Sequence, residues 1–184
     1  MKKFFAIAAL IVGISVAQVS RAEAVRLCDY TLRDFIGRYN IVADGMNFPR
    51  SVRINSAPHY ASSINYKGYT AYDISLGDSG HGVIFLLFTD QQGGVAELSW
   101  ILSSQDELSQ DASVLVLLCS LFAAGLSEDE VKTLSYNMPS NGDPNSNMRA
   151  SVWSNSTGRR IYLTRTYAPN GRQGLTQVNL YAER

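Results

Sequence analysis

The sequence predicts an α+β fold in which an antiparallel sheet of six or seven strands packs on a buried central helix. Two blocks of residues alternate between apolar and polar side chains, as strands do, and a stretch with helical spacing separates them. A short N-terminal helix precedes the first block, and a helical hairpin lies between the two blocks. We expect residues 25–184 to form a single globular domain.

The N-terminal helix is predicted from the apolar spacing of DYTLRDFIGRYNIVA (29–43), in which Leu32, Phe35 and Tyr39 recur on one face. Thr31 followed by Asp34 is a helix-start signal of the capping-box type, with Asp in place of the more effective Glu.

The first strand block contains four segments. Residues 51–55, 64–76 and 95–102 alternate between apolar and polar side chains, which is typical of strands with one buried face. VIFLLF (83–88) is apolar on both faces and therefore predicts a central strand. DQQGG (90–94) predicts a turn, so these segments form an antiparallel meander.

Two capping boxes open the helical hairpin. Ser104 with Glu107 begins a helix that runs to Gly125, and Ser127 with Glu130 begins a shorter one. From Val114 onward the longer helix is apolar on all sides, which predicts a buried helix.

The second strand block contains three segments, at about 148–154, 159–168 and 174–182. The turn-forming stretch 137–147 precedes it, and Asn170-Gly171 is a strong hairpin signal between its last two strands.

The first 24 residues have the features of a secretory signal peptide. A basic start at Lys2 and Lys3 is followed by a short apolar run and an Ala22-x-Ala24 pattern, which is typical of a cleavage site. We expect residues 1–24 to be removed, with cleavage after Ala22 and a retained anchor as alternatives. The lysine-rich start is of bacterial type, so the predicted location is periplasmic or secreted. No later segment is long enough to span a bilayer, and no stable membrane insertion is expected.

The two cysteines, Cys28 and Cys119, predict a disulfide bond, because an even number of cysteines in an exported protein is usually paired. Two buried thiols are the alternative. Two cysteines and two histidines are too few for the usual structural zinc sites, and no metal or cofactor is predicted.

Charge is segregated along the chain although its formal net charge is zero. Residues 70–135 hold ten acidic residues and one lysine, whereas residues 145–184 hold six arginines and one glutamate. This pattern favours pairing between the two halves or separate acidic and basic surfaces for partners. Binding to nucleic acid is not favoured, since the basic third has no repeated aromatic-basic pattern.

One loop resembles a known catalytic element. Residues 77–82 read GDSGHG, which is similar to the GDSGGP nucleophile loop of trypsin-like serine proteases, and His59 and Asp73 complete that family's order of His, Asp, Ser. The resemblance implies Ser79 as nucleophile. It covers six residues, however, and Asp73 lies only six residues before Ser79, whereas the family brings these two groups from well-separated segments. A smaller hydrolase pairing Ser79 with His81 is the alternative.

We expect this loop to be a hairpin turn, because its glycines readily adopt positive φ and its Asp78 and Ser79 favour turns. Its Asp78 and His81 are then candidate binding residues at an exposed tip. Tyr69, Arg160 and Arg165 are the other candidates, since tyrosine and arginine recur at binding hot spots.

These observations predict an exported bacterial protein that is not an enzyme and that binds another protein, as immunity proteins, inhibitors and envelope accessory factors do. Two alternatives stay open: a small serine hydrolase using Ser79 and His81, and a carrier that holds a small ligand in a groove between sheet and helix.

Overall fold

The computed structural model describes residues 25–61, 68–77, 83–102, 107–136, 147–168 and 175–183. Its helices are α1 (Leu32–Gly45), α2 (Glu107–Ala123) and α3 (Glu128–Tyr136), with a 3-10 turn at Arg50–Val52. Its strands are β1 (His59–Tyr60), β2 (Thr70–Ile74), β3 (Val83–Thr89), β4 (Val95–Leu102), β5 (Met148–Ser154), β6 (Arg159–Ala168) and β7 (Leu175–Glu183).

The described strands form one seven-stranded sheet in the order β1-β2-β3-β4-β7-β6-β5. Every neighbouring pair is antiparallel, which confirms the predicted α+β class. The two strand blocks of the sequence meet where β4 pairs with β7, so the helical hairpin crosses over between them. Strand β3, predicted as central, lies third from one edge and is almost entirely buried.

The main core lies on one face of the sheet, here called the inner face. Trp100 on β4 and Phe85 on β3 meet edge to face at 6.2 Å between ring centroids, and Tyr39 of α1 packs on Phe85 at 5.9 Å. Trp100 Nε1 also donates to Ser113 Oγ of α2 at 2.8 Å. The alternation of each strand directs these side chains to the inner face and their neighbours to the opposite, outer face.

Helix α2 is buried on one side rather than on all sides. Most side chains on its buried face are small, among them Ala112, Cys119 and Ala123, and Val116 and Leu121 are the larger ones. On the other side Val114 is 54% exposed, and Leu118 and Phe122 are half-buried. The prediction that this helix is buried on all sides, made from its apolar residues after Val114, is therefore wrong.

The segment before α1 attaches the N-terminal helix to the sheet. The backbone N–H of Leu27 donates to the Val95 carbonyl at 2.9 Å, and Val25 forms a bridge with Ala182. Thr31 is the N-cap of α1, and its hydroxyl accepts from the backbone N–H of Asp34 at 3.2 Å, which confirms the predicted helix start.

The prediction of a strand at 51–55 is wrong, because α1 supplies the hydrogen bonds that a neighbouring strand would have made. The Tyr39 hydroxyl donates to the Val52 carbonyl at 2.9 Å. The Asn40 side chain donates to the Ile54 carbonyl at 2.7 Å and accepts from the Ile54 N–H at 2.9 Å. The segment forms a 3-10 turn and a single bridge from Ile54 to Leu76 instead.

The predicted disulfide is also wrong: Cys28 and Cys119 are both free, buried thiols. Each sulfur has a partner of its own: the backbone N–H of Tyr30 donates to Cys28, and the Cys119 thiol donates to the Tyr39 hydroxyl, whose own proton goes to the Val52 carbonyl. Burial raises the pKa of Cys28 to about 11 and that of Cys119 to about 12, so both stay protonated and unreactive at neutral pH.

Several predicted features lie outside the described residues: the signal peptide (1–24), the first capping-box serine (Ser104) and the Asn170-Gly171 turn. No helix in the described ranges is long and apolar enough to span a membrane.

Candidate functional site

Three of the predicted site residues, Asp78, Ser79 and His81, lie outside the described residues. The strands on either side of their loop are antiparallel neighbours, with Ile74 of β2 opposite Phe85 of β3. The pairing of β2 with β3 is therefore described, whereas the predicted turn at residues 78–82 lies outside the described residues.

The other two residues of the protease-like set do come together. His59 on β1 lies directly opposite Asp73 on β2, and both side chains are exposed on the outer face. Partial burial raises the pKa of Asp73, and the nearby His59 opposes that shift. This pair lies at an exposed sheet edge, and the serine that would complete a triad is outside the described residues.

Tyr69 lies far from the predicted arginines. It precedes β2 and packs half-buried against the outer-face cluster of Ala71, Leu86, Phe88 and Ile101. Burial raises the pKa of Tyr69 to about 12, with Glu97 and Asp90 contributing. Strands β2 and β6 are four positions apart, which at about 4.8 Å per strand separates Tyr69 from Arg160 by roughly 19 Å.

Arg160 and Arg165 lie on opposite faces of the sheet, because they are an odd number of residues apart on β6. Arg160 is exposed on the outer face and lies opposite Trp153 of β5. Arg165 points to the inner side, where its Nη2 atom lies 2.7 Å from Met148 Sδ. Arg160 is therefore exposed on the outer face, whereas Arg165 is half-buried on the inner face.

Around Arg160, the outer faces of β5, β6 and β7 form a continuous surface that we call the Tyr/Arg patch. It consists of Arg149, Trp153, Arg160, Tyr162 and Tyr181. Trp153 is 50% exposed, Arg149 and Arg160 are exposed, and the two tyrosines are half-buried. All five project from strands, so a regular sheet fixes their spacing.

Three side chains of the patch, Arg149, Tyr162 and Tyr181, stack on one another. The Arg149 Cζ atom lies 4.3 Å above the centroid of the Tyr162 ring, and the Tyr162 and Tyr181 rings stack at 5.5 Å with an interplanar angle of 15°. Arg149 Nη2 also lies 3.5 Å from Glu183 Oε2. A cation over an aromatic ring and an offset ring pair are each favourable, and together they limit the freedom of these side chains.

A polar network supports the patch on its β4 side. Gln177 Nε2 donates to Ser99 Oγ at 3.0 Å and to Asn179 Oδ1 at 2.9 Å. Asn179 Nδ2 contacts Thr164 Oγ1 at 3.4 Å. These bonds link β4, β7 and β6 through their outer-face side chains.

Glu130 anchors the hairpin of β5 and β6 to helix α3. Its carboxylate accepts from Ser127 N at 2.8 Å, Asn155 N at 2.7 Å, Ser156 Oγ at 3.0 Å and Ser154 Oγ at 3.2 Å. Burial alone would raise the pKa of Glu130, but these four hydrogen bonds favour the charged form and hold the pKa below its usual value. The predicted capping box is confirmed, and it also fixes the turn beside the patch.

Sequence reasoning named Arg160 but did not select Arg149 or Trp153. Their signal was the alternation of MRASVWS (148–154), which places Arg149, Ser151 and Trp153 on one face. In the described ranges, no group of three or more metal-ligating side chains is close enough to hold a metal ion. The patch instead offers π faces and guanidinium donors, which bind carboxylates, aromatic rings and peptide groups.

No family model, no curated protein and no solved structure matches this chain.

Proposed function

We propose that this chain is an exported bacterial protein, periplasmic or secreted, that binds another protein and is not itself an enzyme. Immunity proteins, inhibitors and envelope accessory factors are the types with this behaviour. Export is supported by the sequence of residues 1–24 alone, which combines a basic start, an apolar run and an Ala-x-Ala site.

The observation that carries the proposal is the exposed Trp153 beside Arg160, next to the stack of Arg149, Tyr162 and Tyr181. Tryptophan, tyrosine and arginine are the residue types most enriched at the energetic centres of protein interfaces. A half-exposed tryptophan on a strand carries a large apolar area that a partner can cover.

The rigidity of the patch supports binding rather than catalysis. Three of its five residues, Arg149, Tyr162 and Tyr181, already stack on one another, so a partner that docks here has fewer side chains left to immobilise. A guanidinium group is always charged at physiological pH and serves as a hydrogen-bond donor, not as a general base.

The test is recovery of a partner from the envelope extract of the source cells. We expect the purified protein to retain a specific protein, and Trp153→Ala combined with Arg160→Ala to lose it. The matched control replaces two exposed residues away from the patch, Tyr136→Ala and Arg33→Ala, and should retain the partner. Equal recovery by both double variants would contradict the proposal.

The non-catalytic part has its own test. A fluorophosphonate probe, which labels activated serines, should leave the protein unlabelled. Labelling that disappears in Ser79→Ala and persists in Ser75→Ala would favour the hydrolase alternative.

A further inference from the structure

The two edges of the sheet differ in how well they are protected against pairing with another chain. An edge strand exposes unpaired backbone N–H and C=O groups, and proteins usually protect such an edge by shortening it or by adding proline or charge. Strand β1 has two residues and directly follows Pro58. Strand β5 has seven residues with no proline or glycine, and in the described ranges it pairs only with β6.

The hairpin of β5 and β6 is also the most basic element of the sheet. Residues 147–168 hold four arginines and no acidic residue. Arg159 is paired with Asp29, and Arg149 lies near Glu183. Arg160 is exposed and lies opposite Glu183 of β7, so the outer face beside the edge carries two guanidinium groups, those of Arg149 and Arg160, against one carboxylate.

We infer that the partner contributes an extended acidic segment that pairs with the outer edge of β5 and extends the sheet by one strand. This inference rests on the proposed function, because it names the part of the partner that reaches the patch. Backbone hydrogen bonds to β5 supply affinity, and alternate side chains of the added strand lie beside Arg149 and Trp153. Carboxylates at those positions complement the arginines of the hairpin.

Tryptophan fluorescence provides a direct readout. The chain has two tryptophans, of which Trp100 is fully buried and Trp153 is half-exposed, so an added strand changes the emission of Trp153. The probe is an octapeptide of alternating glutamate and threonine, and the control peptide has lysine in place of glutamate. We expect the acidic peptide to shift the emission with saturation and the basic peptide to leave it unchanged.

A charge-reversal pair tests the location. Arg160→Glu should weaken binding of the acidic peptide about tenfold or more, which corresponds to about 1.4 kcal/mol. Arg33→Glu makes the same charge change on an exposed position of α1 and should leave the affinity within twofold. Equal weakening by both variants, or no emission change with the acidic peptide, would overturn the inference.

Two N-methylated peptides test the strand pairing itself. One has methyl groups on its odd-numbered amides and the other on its even-numbered amides, and only one set of amides can face β5. We expect one peptide to lose at least tenfold in affinity and the other to bind like the parent. Equal affinities would mean that side chains alone make the contact, and the inference would fail.

The outcomes separate this inference from the proposed function. If the envelope partner needs Trp153 and Arg160 but the N-methylated peptides bind alike, strand pairing is excluded and the proposed function stands. If the partner is retained without those two side chains, the patch is not the binding surface and the inference fails; if no specific partner is recovered at all, the proposed function fails. A stable dimer through β5, detected by light scattering and removed by Trp153→Ala, would identify a second copy as the occupant and overturn the inference.

Discussion

The outer face of the sheet has two contrasting regions. On β3 and β4 the outer-face side chains Leu86, Phe88 and Ile101 are apolar and buried, although the core built on α1 and α2 lies on the inner face. On β5, β6 and β7 the corresponding positions hold the exposed Tyr/Arg patch. The same alternation therefore produces a second apolar cluster in one region and an exposed surface of aromatic and basic side chains in the other. The apolar side chains are buried because Ala61, Tyr69 and Leu175 pack against them, whereas half of Trp153 stays exposed.

The largest expected effect is the loss of packing in the apolar region. Ile101 is 1% exposed, so Ile101→Ala should lower the free energy of unfolding by about 2–4 kcal/mol through lost burial and a residual cavity. Urea unfolding followed by far-UV circular dichroism measures it. A loss below about 1 kcal/mol would mean that the outer cluster is not packed like a core.

The next largest effect concerns the anchor that holds the basic hairpin to α3. Glu130→Gln keeps the shape of the side chain but replaces the carboxylate, whose oxygens accept four hydrogen bonds, with a neutral amide. This change should lower the free energy of unfolding by about 1–3 kcal/mol. Thermal unfolding of this variant can be compared with Glu128→Gln. Glu128 is exposed, and its ion-pair partner among the described residues is Lys132 four residues on, so its variant should unfold close to the parent.

The same residue predicts the direction of a pH effect. The pKa of Glu130 is lower in the folded chain than in the unfolded chain, where it is about 4.3. Its contribution to stability is therefore complete above about pH 4.3 and is lost as the pH falls through the folded pKa. Unfolding midpoints measured between neutral pH and pH 3 should fall less steeply for Glu130→Gln than for the parent. Parallel curves would refute this assignment.

Trp153→Ala should have a small effect on stability, which sharpens the comparison with Ile101. Because half of Trp153 is already exposed, we expect the free energy of unfolding to fall by only about 0.5 kcal/mol, although the side chain removed is larger than that of isoleucine. Urea unfolding under the same conditions provides the measurement. A loss as large as that of Ile101→Ala would show that the patch is part of the core rather than a binding surface.

The smallest effect is expected from reduction. Because Cys28 and Cys119 are free, dithiothreitol should leave the unfolding midpoint unchanged, and the chain denatured without reductant should titrate as two thiols. If the denatured chain showed no free thiol in this titration, the two cysteines would have to be joined by a disulfide.

Much of the fold was predictable because local signals and tertiary contacts agree. The limits of β4, β5 and β6 follow from alternation, and the starts of α1 and α3 follow from Thr31 and from the Ser127–Glu130 box. The segment 51–55 could not be predicted in this way, because its hydrogen bonds come from Tyr39 and Asn40, which are distant from it along the chain.

The candidate site was predictable only in part. Arg160 was identified from its type, yet its separation from Tyr69 depends on the strand order, which the sequence does not state. Arg149 and Trp153 became candidates only when the pairing of β5 with β6 placed them beside Arg160 and Tyr162. Asp78, Ser79 and His81 stay predictions.

The sequence by itself determined the α+β class, most strand limits and the segregation of charge, because periodicity and capping act over a few residues. Only the tertiary structure decided that the cysteines stay apart, that the second strand block joins the first at β4, and that β5 is left at the edge. Those outcomes depend on which distant segments meet, and that choice is made by packing of the whole chain rather than by any local pattern.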